Sequence, residues 1–213
     1  METNLIFVEE THTYLKDGRV PVASVTQILE SAGLVCYQGI PDGVLEHKAD
    51  IGTAAHAATH YLDQGELDWS TVDDEVLGYV RGWEKFRAEA NFVLLKDGIE
   101  RRGIASMDGM EYGYTYDRDG VLNGFPTILE IKCTAGVEIS WGPQTAGYEH
   151  ALRQLDGRAR RRVAVHLKPN ATYSLVPLSD TKDYQIFKAA LLLESWKKSK
   201  GRGYGYGSAR LTR

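Results

Sequence analysis

Residues 126–134 read PTILEIKCT, and this stretch limits what the chain can fold into more than any other. Its composition is that of a β-strand, in which residues two apart point to the same face. Leu129, Ile131 and Cys133 therefore share one face, which needs an apolar cover. Glu130 and Lys132 share the other, where two opposite charges must be either wetted or built into a polar site. A wet surface pair of this kind is worth roughly 0–1 kcal/mol. The rest of the chain has to supply the cover and decide between the two fates of the charges.

The cover is predicted to be helical. SVTQILESAG has a capping-box spacing at Ser24 and Gln27 with Gly33 as a stop. The alanine-rich segment 51–65 ends at Gly65, and residues 73–90 place Val76, Tyr79, Val80, Trp83 and Phe86 at helical spacing. Short strands are expected at 5–8 and 12–15, with a turn at KDGR, 16–19. A three-strand meander is expected at 92–100, 111–118 and 126–133, with DRDGVLNG as the last turn. A helix over 143–155 follows, then strands RVAVHLK and TYSLVPL, and a closing helix over 181–198. This order predicts an α/β fold with a central mixed sheet flanked by helices, one domain over residues 1–200, and a Gly-rich basic tail at 201–213.

Composition excludes several classes. The chain has 213 residues, 43% hydrophobic and 25% charged, enough for one ordinary core. Its start is acidic and lacks the apolar core of a signal peptide, and no apolar run reaches membrane-spanning length, so a cytoplasmic protein without membrane contact is expected. Cys36 and Cys133 are the only cysteines, too few for a disulfide framework, a four-thiolate zinc site or an iron–sulfur cluster. The net charge of −4 is split unevenly: from Arg153 onward 14 Lys and Arg face 4 Asp and Glu, whereas residues 1–152 hold 11 basic and 25 acidic residues. The acidic part suits divalent cations, and the basic part, with Arg160, Arg161 and Arg162 in one cluster, suits a polyanion backbone.

Asp117 lies thirteen positions before Glu130, on the preceding predicted strand. If those strands are neighbours, two carboxylates meet at one end of the sheet and repel unless a cation lies between them, which favours a hard metal such as Mg²⁺. Lys132, on the face of Glu130, would then stand beside the metal, able to orient a water or stabilise charge on a phosphorus-bound oxygen.

Asp117, Glu130-Ile131-Lys132, Gly52-Thr-x-x-His56 and Gln144-x-x-x-Tyr148, in this order, resemble the PD-(D/E)XK nuclease superfamily, in its RecB-like and lambda-exonuclease-like branch of small phage or prophage type. The opening HTYLKDGRVPVASVTQIL looks like the front end of such members, so the resemblance runs from residue 12 to about 198. It implies a restriction-endonuclease-like core and Mg²⁺- or Mn²⁺-dependent hydrolysis of DNA. Asp117, Glu130, the Ile131 carbonyl and His56 would serve the metal, Lys132 the chemistry, and Gln144 and Tyr148 the placement of substrate. It further implies exonuclease action in recombination or repair, with a single-strand annealing protein as a partner and ring-shaped homo-oligomers among its relatives. Glu100 could be the additional acidic residue that some members carry. The alternative is an inactive protein of the same fold that binds nucleic acid or a protein. His56 and His60 also have the i, i+4 spacing of zinc ligands, but the glutamate that a zinc protease places after the first histidine is missing.

Overall fold

The computed structural model describes residues 5–8, 13–35 and 41–201; residues 202–213 of the expected tail and Cys36 lie outside these. An antiparallel sheet is formed by β1 (Leu5–Val8), β2 (Thr13–Lys16) and β3 (Val20–Val22). Helix α1 (Val25–Ser31) follows, and its capping box is present: Ser24 Oγ accepts the Gln27 N–H at 3.2 Å, and Gln27 Oε1 accepts the Ser24 N–H at 2.9 Å. Next come α2 (Asp42–Gln64) and α3 (Asp74–Glu89). Helix α2 starts nine residues earlier than expected, and Gly52 lies within it with open space where a side chain would stand. Its end is as expected: Gly65, at φ 76°, reverses the chain, and the Glu66 N–H reaches back to the Tyr61 carbonyl at 2.9 Å.

The expected meander is corrected. Five strands occupy its span: β4 (Phe92–Ile99), β5 (Arg102–Met107), β6 (Met110–Thr115), β7 (Arg118–Leu122) and β8 (Phe125–Lys132). β5 and β6 pair as a separate hairpin, and the segment read as a turn is largely β7. Gly120 belongs to a strand because the Phe92 ring and the Val93 carbonyl fill the place of its missing side chain. The real turn is Asn123-Gly124, both at positive φ (52° and 82°), the two-residue connection that matches the twist of a hairpin. Helix α4 (Trp141–Asp156), β9 (Arg161–Leu167), β10 (Tyr173–Pro177) and α5 (Asp183–Ser199) complete the described chain.

The main sheet has the order β10-β9-β8-β7-β4, with β8 and β9 parallel and the other pairs antiparallel. It is therefore a mixed sheet flanked by helices, as expected. Leu129 and Ile131 pack with Val163, Val165, Trp83 and Phe86 on the face that α3 covers. Burying each such side chain contributes about 1.5–3 kcal/mol. Ile128 faces the other way, into a cluster with Tyr112, Tyr148 and Phe187 under α1, α4 and α5. The alternation of β8 thus continues past Ile128 to aim Glu130 and Lys132 at α4.

Candidate active site

The site forms where the β7–β8 ladder opens. The last pair is Arg118 with Leu129, so Asp117, one residue beyond β7, stands in register with Glu130. Asp117 Oδ2 accepts the Ile131 N–H at 2.6 Å, taking a bond that a longer β7 would have made. The Ile131 carbonyl leaves the strand on the same side, toward the same opening. Asp117 and Glu130 are both buried, at 8% and 4% exposure. The wet-face reading of the Glu130–Lys132 pair is thereby excluded.

Two runs of contacts hold the predicted residues, and they meet where Asp117 stands in register with Glu130. His56 Nδ1, on α2, is 3.4 Å from Asp117 Oδ1. Glu130 Oε1 is 3.1 Å from Lys132 Nζ, which also donates to Gln144 Oε1 at 2.8 Å. Gln144 Nε2 donates to the Tyr148 hydroxyl at 3.1 Å, one turn further along α4. Glu130 Oε2 is buried with no hydrogen-bond partner. Burial, and then the charge of Asp117, push the Glu130 carboxyl up to about 7, against the pull of Lys132 and His56. Burial acts the same way on Asp117, but His56, the Ile131 N–H and Arg118 outweigh it and hold that carboxyl below its ordinary range. Burial would lower the His56 pKa, yet Asp117 and Glu130 raise it. Burial keeps the neighbouring Cys133 thiol protonated, pushing it up to about 12.

A divalent cation fits this donor set in one respect above others: the orphaned Glu130 oxygen lacks a positive partner, and a cation would supply it. Among the described residues no group of three His, Cys, Asp or Glu side chains is gathered to hold a metal ion. Two carboxylates and a main-chain carbonyl make an open site that leaves positions to water, which is how Mg²⁺ is commonly held. The zinc-pair reading of His56 and His60 gains nothing, since His60 turns to Glu100 Oε2 at 3.1 Å. Glu100 itself, at φ 45°, lies between His60 and Arg118 instead of joining the carboxylate pair.

Sequence reasoning missed the support beneath Asp117. Arg118 is fully buried; its Nε donates to Asp63 Oδ2 at 2.7 Å and its Nη1 to the Asp117 carbonyl at 2.8 Å. Asp63 is also contacted by Arg87 Nε at 3.1 Å and Trp83 Nε1 at 3.2 Å. The available signal was spacing: His56, Thr59, His60 and Asp63 recur at the three-and-four interval of one helix face.

Two expectations about nucleic-acid contact are corrected. Tyr148 is 4% exposed within the α1–α4–α5 core, so it holds Gln144 and has no free face for a base, and Gln144 is itself buried between Lys132 and Tyr148. Arg160 is paired with Asp119 and Asp156, and Arg162 with Asp183 and the Gly142 carbonyl, so both are spent inside the fold. Arg161 lies over the Phe125 ring, beside Thr127 at the other end of β8 from Lys132. A run of arginines in sequence does not reveal that carboxylates from β7, α4 and α5 have already claimed two of them.

No protein-family model and no curated protein matches the chain. Among solved structures it is similar to a proposed exonuclease from Eubacterium rectale, at 10% identity and a TM-score of 0.43, over 71% of this chain and 69% of that one. It is also similar to the protein SSO0001, at 15% identity and a TM-score of 0.36, over 88% of this chain and 95% of that one. Both likenesses are remote.

Proposed function

We propose that the protein is a metal-dependent nuclease that hydrolyses phosphodiester bonds in DNA. The observation that carries this reading is the juxtaposition of an opposed carboxylate pair, Asp117 and Glu130, with a lysine held on its flank by Gln144. Asp117, Glu130 and the Ile131 carbonyl would hold Mg²⁺ or Mn²⁺, which supplies charge neutralisation at the phosphate and lowers the pKa of water. His56 orients Asp117 from α2. Lys132 brings a fixed ammonium to the place where charge grows on a phosphorus-bound oxygen, in a pocket dry enough to strengthen it. Gln144 and Tyr148 keep that ammonium in place.

Cutting at DNA ends, during recombination or repair, is the form of this activity that the motif resemblance favours. The test is incubation of the pure protein with linear and with covalently closed circular DNA, with and without Mg²⁺ or Mn²⁺. Metal-dependent loss of the linear form alone is expected. Intact linear DNA at high protein concentration in both metals would refute the reading.

A further inference from the structure

With Arg160 and Arg162 spent, an acidic reaction centre still needs a positive surface to hold a polyanion near it. A cleft of about 510 Å³ lies beside the centre, lined by His60, Gln64, Lys96, Asp97, Ile99 and Arg101. It abuts the site through the main chain, since the Glu100 N–H donates to the Asp117 carbonyl at 2.9 Å. One face of α2 serves both places: His56 meets Asp117, while His60 and Gln64, four and eight residues on, line the cleft. At 1.5 Å rise per residue, that is about 6 and 12 Å along the helix axis.

Charge distinguishes this cleft. Most described arginines of the sheet and its helices, among them Arg81, Arg87, Arg118, Arg158, Arg160 and Arg162, are matched by a carboxylate. Lys96 and Arg101 are both exposed, and neither makes a salt bridge or hydrogen bond with another described residue. Asp97 is the one carboxylate among the lining residues, and Glu100, behind them, is occupied by His60 and Arg118. The cleft therefore carries a positive surplus next to the Asp117 and Glu130 carboxylates.

We infer that this cleft is a subsite for the phosphodiester backbone of the bound strand, with Lys96 and Arg101 contacting phosphates a few nucleotides from the one being cut. The inference rests on the nuclease reading for its orientation but is tested by binding as well as cleavage. Lys96→Ala/Arg101→Ala removes two exposed side chains that make no hydrogen bond or salt bridge with another described residue, so the fold is expected to stand. Anisotropy of labelled single-stranded and duplex oligonucleotides in Ca²⁺, across a salt series, should show weaker binding to every sequence. The slope of log affinity against log salt should flatten by about 1.5–2 units, for two lost phosphate contacts. In Mg²⁺ the same variant should raise KM about tenfold or more with kcat within twofold. The loss should be equal for oligonucleotides with and without a terminal phosphate.

An unchanged salt slope in the double variant, with wild-type binding intact, would overturn the subsite while leaving the nuclease reading standing. A loss confined to phosphorylated ends would also overturn it, in favour of an end-binding pocket. Binding that weakens as described in a protein that cuts nothing would support the subsite and remove the nuclease reading.

Discussion

Lys132 is held from two sides, by Glu130 and by Gln144, and the second contact is itself held by the Tyr148 hydroxyl. The three side chains should therefore differ in rank when truncated. Lys132→Ala removes the ammonium and is expected to slow DNA cleavage by about 10²–10³, the usual cost of losing a fixed charge-stabilising donor. Gln144→Ala frees the ammonium and should cost about tenfold, or 1.4 kcal/mol. Tyr148→Phe removes only the outer bond and should cost less again. Single-turnover rates check the order, and equal rates for all three would deny the relay. Glu130 makes a separate claim through pH. Its carboxyl is raised from an ordinary 4.5 to about 7, so its contribution to stability is full below 4.5 and is lost as pH rises through 7. The metal-free protein should thus melt lower at pH 8 than at pH 5.5, and Glu130→Gln should melt above wild type at pH 8 by more than about 3 °C. Added Mn²⁺ should raise the wild-type melting temperature and leave that of the variant nearly unchanged.

Helix α2 ties the reaction centre to the fold through its polar face. Asp63, at the last turn of that face, is, among the described residues, the only carboxylate in hydrogen-bond contact with the buried Arg118, which in turn fixes the Asp117 carbonyl. Asp63→Asn leaves the buried guanidinium with only the more distant Glu100, at 3.8 Å, as counter-charge and should cost about 3 kcal/mol. Chemical denaturation measures this, and activity should fall below what the folded fraction accounts for, because Asp117 loses its anchor. A cost under 1 kcal/mol would mean that Arg118 is satisfied elsewhere. The elements differ in how legible they were. Strand β8 announced itself because its apolar and charged residues alternate, and α2 ended where Gly65 said it would. Strand β7 did not, because Asp119 and Gly120 look like turn residues until Phe92 packs on the glycine and Arg160 pairs with the aspartate. Glu130 and Lys132 on β8 were legible as a same-face pair, whereas Gln144 and Tyr148 on α4 were picked out only by the motif they resemble. The Asp63–Arg118 support was not, since its value comes from burial that only the packing of α2 and α3 creates.

At the scale of the molecule, the sheet divides the labour. Its α3 face is apolar, its α4 face turns polar at the end of β8, and the α2 side brings His56 and the neighbouring cleft up to the opened ladder. Part of the uneven charge along the sequence is matched within the chain: Arg160 and Lys188 of the basic part meet Asp119 and Asp108 of the acidic part, whereas Arg158 and Arg162 meet Asp156 and Asp183 of their own part. The inferred backbone subsite lies at the margin near the carboxylates, where metal and substrate would arrive together. The most direct test is cleavage of an end-labelled linear duplex in Mg²⁺ by wild type, Asp117→Asn and Lys132→Ala side by side, with EDTA as the control and melting curves confirming that all three are folded. The account predicts cleavage by wild type only, abolished by EDTA. Cleavage by folded Lys132→Ala at the wild-type rate, or by wild type in EDTA, would contradict it.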